Sequence, residues 1–273
     1  MRLRCSNNVP TAPRHREGRS PAATHEPGAL RNASVDGLLR RLRLLAMTML
    51  LATSASIAHA QAYQCRAPQV STVPRIAPDG PRRVMPITGY TLALSWSPEF
   101  CKPRKDARAH AVQCSGSNGS FGLVVHGLWP ESGQSWPQWC DAGAALTPAQ
   151  VRSALCMMPS PQLVARAWAK HGSCMVKRPD AYLKVTRILW ESLRIPDYDR
   201  ISREDSLTAG RIRAAFADAN PGIPESAIGV KLNERGWLEE VRLCYAKTFR
   251  PVRCPAARWG AKDGAAAKIW RGL

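Results

Sequence analysis

The spacing of apolar positions divides the chain into strand-like and helix-like stretches. Tyr90 to Ser97 reads Tyr-Thr-Leu-Ala-Leu-Ser-Trp-Ser, the period-two alternation of a half-buried strand. Phe121 to His126 is almost wholly apolar, which predicts a central strand ending where Gly127 allows a turn. Thr147 before Pro148, Ser160 before Pro161, and Pro179 before Asp180 are helix-start signals, predicting three helices between 147 and 193. A fourth helical stretch runs over 208–219 and stops at Asn220-Pro221-Gly222. Val230 to Leu232 and Leu238 to Tyr245 predict two further strands joined through Asn233-Glu234-Arg235-Gly236. Strands toward both ends, helices between them and no repeat predict an α+β fold with a central, mostly antiparallel sheet packed with helices. The Pro-rich stretch 61–89 reads as an extended arm pinned by Cys65.

Upstream of this pattern, Arg40, Arg41 and Arg43 precede an apolar run from Leu44 to Ile57, followed by Ala58-His59-Ala60. That order is the grammar of a signal peptide, and the run is short for a bilayer span. The expected division is a leader over 1–60 and one domain over 61–273, secreted or periplasmic, without stable membrane association. The whole chain carries +19; the leader's nine arginines and three acids account for +6, so +13 remains on the domain. Such an excess points to a polyanionic partner, although charge alone fits a membrane-surface or wall-binding protein equally. Of nine cysteines, Cys5 falls in the leader, and eight in an exported chain read as a disulfide framework. A zinc site would need a close ligand pair to accompany His171 and Cys174, and none is present. No metal is expected.

Only His110, His126 and His171 remain outside the leader, and His110 lies in a basic loop. On a helix over 160–171, His171 shares an apolar face with Leu163, Val164, Ala167 and Trp168, flanked by Arg166 and Lys170, just before Gly172 stops the helix. Taken alone, that is equally the placement of a core histidine bonded to a backbone carbonyl. The picture changes with the segment Phe121-Gly-Leu-Val-Val-His126-Gly-Leu-Trp129-Pro130 and the later Trp168-Ala169-Lys170-His171-Gly172-Ser173-Cys174. Together, and in this order, they resemble the two active-site motifs of the T2-type ribonucleases, a likeness extending from Tyr90 to about Pro255.

The resemblance implies a metal-independent endoribonuclease that cleaves single-stranded RNA through a 2′,3′-cyclic phosphate, needs no cofactor and works as a monomer. It casts His126 and His171 as the acid and base pair, with His171 as the first base and Lys170 stabilising the transition state. Cationic Lys170 is expected to keep His171 neutral into mildly acidic conditions, giving a rate optimum at about pH 5 to 7. Arg166 stands where the family has a phosphate-binding basic residue. Trp129, Trp136 and Trp139 are the candidate platforms for unpaired bases, Trp129 foremost, so weak base preference is expected. Tyr90 and Trp96 read as core or pocket wall. The resemblance further implies a Cys140–Cys174 bridge clamping the two motifs. Cys101–Cys114 closes a short loop, while Cys65, Cys156, Cys244 and Cys254 are left as Cys65–Cys156 and Cys244–Cys254 with other pairings open. One departure stands out: the family usually has glutamate before the tryptophan of the second motif, where this chain has Ala167. Glu131 and Glu99 are the acids available to replace it. The alternative is a catalytically weakened T2-like protein that binds RNA or a protein partner.

Overall fold

Alternation along strand β2, Gly89–Trp96, sets up the sheet: Leu92, Leu94 and Trp96 alternate onto one face, and Thr91, Ala93 and Ser95 onto the other. The computed structural model describes residues 62–133 and 135–272, so the expected leader lies outside the described residues. Two short strands, β1 Ala62–Tyr63 and β3 Ser120–Phe121, pair as a separate antiparallel ribbon. The main sheet adds β4 Leu123–Glu131, β5 Ile228–Leu232 and β6 Leu238–Ala246 in the order β4-β2-β6-β5, with every pair of strands antiparallel.

Two expectations for β4 need correcting. It lies at the edge of the sheet, and it runs past His126 to Glu131 without turning at Gly127. Its apolar character comes from the covering of that edge by the helical layer. Val125 donates its N–H to the Met157 carbonyl at 2.9 Å, and Leu128 donates its own to the Tyr182 hydroxyl at 3.2 Å. An edge strand closed in this way offers little template for pairing with another chain.

The helices begin where their caps dictate. Thr147 forms a reciprocal capping box with Gln150 at the Pro148–Ala154 helix, and Ser160 caps Pro161–Ala167. Thr208 caps Ala209–Ala219, while Pro179 starts the Pro179–Glu191 helix as its first residue. Val164, Tyr182 and Phe216 from these helices, with Trp168, share one core with Leu92, Leu94, Leu128 and Leu243 of the sheet. Among the described residues, no helix is long and apolar enough to cross a membrane.

Four disulfides fasten the loops: Cys65–Cys156, Cys101–Cys114, Cys140–Cys174 and Cys244–Cys254. The first ties the start of the arm to the helical layer, and Arg83 and Gln138 then exchange backbone hydrogen bonds at 2.9 and 3.0 Å. The C-terminal segment is anchored by Arg213, whose fully buried side chain donates to the Ile228 carbonyl at 2.7 Å and the Ala261 carbonyl at 3.0 Å and pairs with Asp263.

Tyr182 is the hinge of the helix-to-edge contact, its hydroxyl also lying 3.3 Å from the Leu128 carbonyl. Tyr182→Phe keeps the packing but leaves the Leu128 N–H buried without a partner. It is expected to lower unfolding free energy by about 1 to 3 kcal/mol in urea titrations, with no change in the dependence on urea concentration.

Candidate active site

His126 owes its direction to a fault in the strand pairing. Ala93 of β2 faces Gly127 while Leu94 faces Val125, so His126 is the extra residue of a β-bulge and its side chain is turned out of the regular ladder. On the β2 strand between, Ala93 and Ser95 are the small residues of this face, Ser95 opposite Glu240 and Ala93 opposite Arg242. Across them, His126 Nδ1 meets Glu240 Oε1 of β6 at 2.8 Å. Glu240 is 7% exposed and also accepts from Arg242 Nε at 2.6 Å. Burial pushes its carboxyl upward, but the hydrogen bond from His126 and the charges of His126 and Arg242 outweigh this and hold it below its ordinary value.

Gly127 is needed for a different reason: a Cβ there would sit 2.6 Å from the indole nitrogen of Trp129, which folds back over it. Trp129 thereby stands between the two histidines, 5.3 Å from the His126 ring and 5.8 Å from the His171 ring, measured between centroids.

The segment bearing His171 differs from the regular helix expected. The α-helix ends at Ala167, continues as a wider π turn over Trp168–Gly172, and resumes for one turn at Ser173–Met175. Gly172 is no stop signal. A Cβ on it would lie 2.6 Å from Trp168 and 2.7 Å from Tyr182, so glycine lets the turn pack flush against both rings. The wider turn sends His171 into a cavity of about 330 Å³ shared with His126, Trp129, Arg166 and Lys170. The His171 pKa is lowered to about 3, first by burial and then by the charges of Lys170, His126 and Arg166. Lys170 therefore contributes as expected from the sequence, but burial leads.

Of the other candidates, Trp136 lines the same cavity, whereas Trp139 is buried behind it and donates its indole N–H to Asp79 at 3.1 Å. Trp139 is thus a support and no platform for a base. Tyr90 stacks on Phe249, and Trp96 is buried with its N–H bonded to the Trp270 carbonyl. His110 packs edge-on against Phe100. Ala167 lines the cavity as a bare methyl, and neither expected substitute reaches it. Glu131 is held by both Arg258 at 2.7 and 3.0 Å and Thr91, and Glu99 bonds Asn233. Cys174 is committed to its disulfide.

Three contributors escape a reading of the sequence: Asp79, Glu240 and Arg258. Asp79 accepts from Lys170 at 3.0 Å through both oxygens and pairs with Arg166. Its pKa is lowered to about 2, chiefly by the Lys170 hydrogen bond. Nothing in the aperiodic Pro78-Asp79-Gly80 signals this. For Glu240 a signal exists, since the alternation of Leu238 to Tyr245 sets Glu240 and Arg242 as charged neighbours on one face of a buried strand.

Residues 88–254 match the Ribonuclease T2 family, more than half of the chain, and the protein belongs to that family. A probable ribonuclease from Haemophilus influenzae is 28% identical over 181 residues, 62% of this chain and 61% of the relative. A ribonuclease from Aeromonas hydrophila is 39% identical over 85 residues, 31% of this chain and 36% of the relative. The match thus spans less than two thirds of either relative's length. Among solved structures, an RNase-related protein from Calystegia sepium aligns with a TM-score of 0.53 at 22% identity, covering 67% of this chain and 97% of that one. RNase NT, solved in complex with 5′-AMP, aligns at 0.54 and 18% identity, covering 68% and 98%. These likenesses establish the fold.

Two measurements probe this geometry. The His171 ring resonances should stay at their neutral-form shifts in an NMR titration from pH 8 down to about 4. Below its ordinary 6.5 the unfolded chain binds a proton that folded His171 refuses until about 3, so this group makes stability fall as pH drops through that window. Resonances moving with a midpoint near 6.5 would contradict the buried placement. Ala93→Leu should place a branched side chain between β4 and β6 on this face and separate His126 from Glu240, cutting any His126-dependent activity at least about tenfold, as steady-state assays would show.

Proposed function

We propose that this protein is a metal-independent endoribonuclease that cleaves single-stranded RNA in two steps through a 2′,3′-cyclic phosphate. The observation carrying this reading is the pairing of unlike histidines across Trp129: His171 buried and neutral, His126 half-exposed and hydrogen-bonded to the Glu240 carboxylate. A neutral imidazole suits a base, and one oriented through its Nδ1 by a carboxylate suits the group that hands a proton on. In the first step, His171 takes the proton of the 2′-hydroxyl, the 2′-oxygen attacks phosphorus, and His126 protonates the departing 5′-oxygen. In the second, His126 draws a proton from water and His171 returns one to the 2′-oxygen, leaving a 3′-phosphate. Lys170, with Arg166 beside it, faces the negative charge that builds on the phosphoryl oxygens. Trp129 offers an aromatic wall for an unpaired base and supports low sequence selectivity. Four disulfides support export to an oxidising compartment, periplasmic or extracellular.

A second reading, a weakened enzyme that chiefly binds RNA, draws on Ala167 and on the Asp79 carboxylate that occupies both phosphate-facing cations.

The deciding experiment is cleavage of single-stranded RNA by purified protein in excess EDTA, with DNA as control. Cleavage of RNA but not DNA, lost by more than about a thousandfold in His126→Ala and His171→Ala, is expected for two groups sharing proton transfer. Ala167→Glu is expected to change kcat by less than about tenfold. If the parent binds RNA without turnover and Ala167→Glu restores it, the second reading replaces the first; abolition of activity by EDTA would remove the mechanism.

A further inference from the structure

A second cavity, of about 470 Å³, opens on the other side of the sheet, and its lining shares no residue with that of the histidine cavity. Tyr245 of β6 marks the change of face: an odd number of residues separates it from Glu240 along a regular stretch of strand, so the two side chains project to opposite sides. The cavity lies where the C-terminal ends of the Pro179–Glu191 and Ala209–Ala219 helices meet the turn after β6, with Leu189, Ile223, Phe249 and Pro251 among its apolar walls. Asn220 ties the two helix ends together, donating to the Arg194 and Phe216 carbonyls at 2.8 Å and accepting from the Arg194 N–H at 2.8 Å. The turn is fastened by the Cys244–Cys254 disulfide and by the Val252 N–H on the Cys244 carbonyl at 3.0 Å. It holds Phe249 at φ 60°, with the ring stacked on Tyr90 at 4.5 Å. A bulky residue stays in the left-handed region only where its surroundings brace it.

Two polar side chains of this cavity lack a partner within the chain. Tyr245 is 5% exposed, yet its hydroxyl has no hydrogen-bond partner among the described residues. The buried Tyr182, by contrast, is bonded to the Leu128 backbone. Burial pushes the Tyr245 phenol well above its ordinary value, so the group remains an O–H donor. Arg194 is exposed, and among the described residues its guanidinium makes no ion pair or hydrogen bond. None of the lining residues is acidic. A buried donor without an acceptor is a cost to the fold that a bound acceptor removes.

We infer that this cavity binds a small aromatic carboxylate, its ring against Phe249 and Leu189 and its two oxygens accepting from the Tyr245 hydroxyl and the Arg194 guanidinium. Two donors and no acid call for an anion that only accepts. A single cation balances a monoanion and leaves a phosphate dianion in excess, and the planar guanidinium matches the paired oxygens of a carboxylate. Mainly apolar walls with a few convergent polar groups, at this volume, are the usual form of a small-molecule site. The inference goes beyond the RNA chemistry proposed above and does not depend on it.

The test is calorimetric titration of the unaltered protein with 2-naphthoate and with its neutral counterpart, 2-naphthamide. The carboxylate is expected to saturate one site and to bind at least about tenfold tighter than the amide, as charge-assisted hydrogen bonds exceed neutral ones. Arg194→Ala should abolish that difference. Tyr245→Phe should weaken 2-naphthoate about tenfold while leaving Tm unchanged or slightly raised, because the hydroxyl has no partner in the chain to lose. Lys170→Ala, which disarms the histidine cavity, should leave 2-naphthoate binding unchanged. The inference is overturned by amide binding as tight as that of the carboxylate, by an affinity that Arg194→Ala does not move, or by loss of binding in Lys170→Ala, which would place the probe beside the histidines.

Discussion

A carboxylate buried in a sheet costs several kcal/mol unless it is paired, and Glu240 is paired twice, to His126 and to Arg242. That one group fixes the site's sheet half. It orients the His126 ring, which reaches it from a bulge in β4 across a β2 face whose residues at this level, Ala93 and Ser95, are small. Ala93, the bulge and Glu240 come from three strands that are not consecutive in sequence. Formation of the sheet in the order β4-β2-β6 is therefore the same event as formation of the site.

The helical half is set by packing. Tyr182 joins the Pro179–Glu191 helix to the edge of β4, Gly172 lets the π turn lie flat against that ring, and the turn delivers His171 to the cavity. Cys140–Cys174 closes the loop after β4 onto the end of this segment, and Trp139, next to Cys140, donates its N–H to the Lys170 carbonyl at 2.9 Å. Burial of His171 and the neighbouring positive charge then follow together, because the turn that removes it from water also presents Lys170.

The parts legible in the sequence were those with local signatures. Start signals at Thr147, Ser160 and Pro179 marked helices, alternation marked β2 and β6, and two motifs marked His126, Lys170 and His171. What the pattern misjudged was tertiary. An apolar run is the same whether a strand is central or lies at an edge covered by helices, so β4 was misplaced, and a glycine after a helical histidine looks like a terminator when it is a point of close contact. The charged groups from elsewhere in the chain, Asp79 and Arg258, were invisible because neither belongs to a periodic element with a neighbouring partner. Their roles arise only when the arm and the C-terminal segment fold over the same cavity edge. Glu131 and Glu99 looked available in a list of acids because sequence does not show that each already has a partner.

Asp79 gives the site its own resident counter-ion. Under the function proposed above, a phosphate reaching Lys170 and Arg166 would displace a tethered carboxylate, where on an open basic surface it would displace small anions that come from solution. Exchange of one fixed anion for another is nearly neutral in mobile ions, so this subsite should feel ionic strength less than the overall +13 of the domain suggests. Under the function proposed above, the rest of the basic surface would gather a polyanion in a salt-dependent way, while the innermost contact would be selected by geometry: an anion must match both cations better than a single aspartate to take its place.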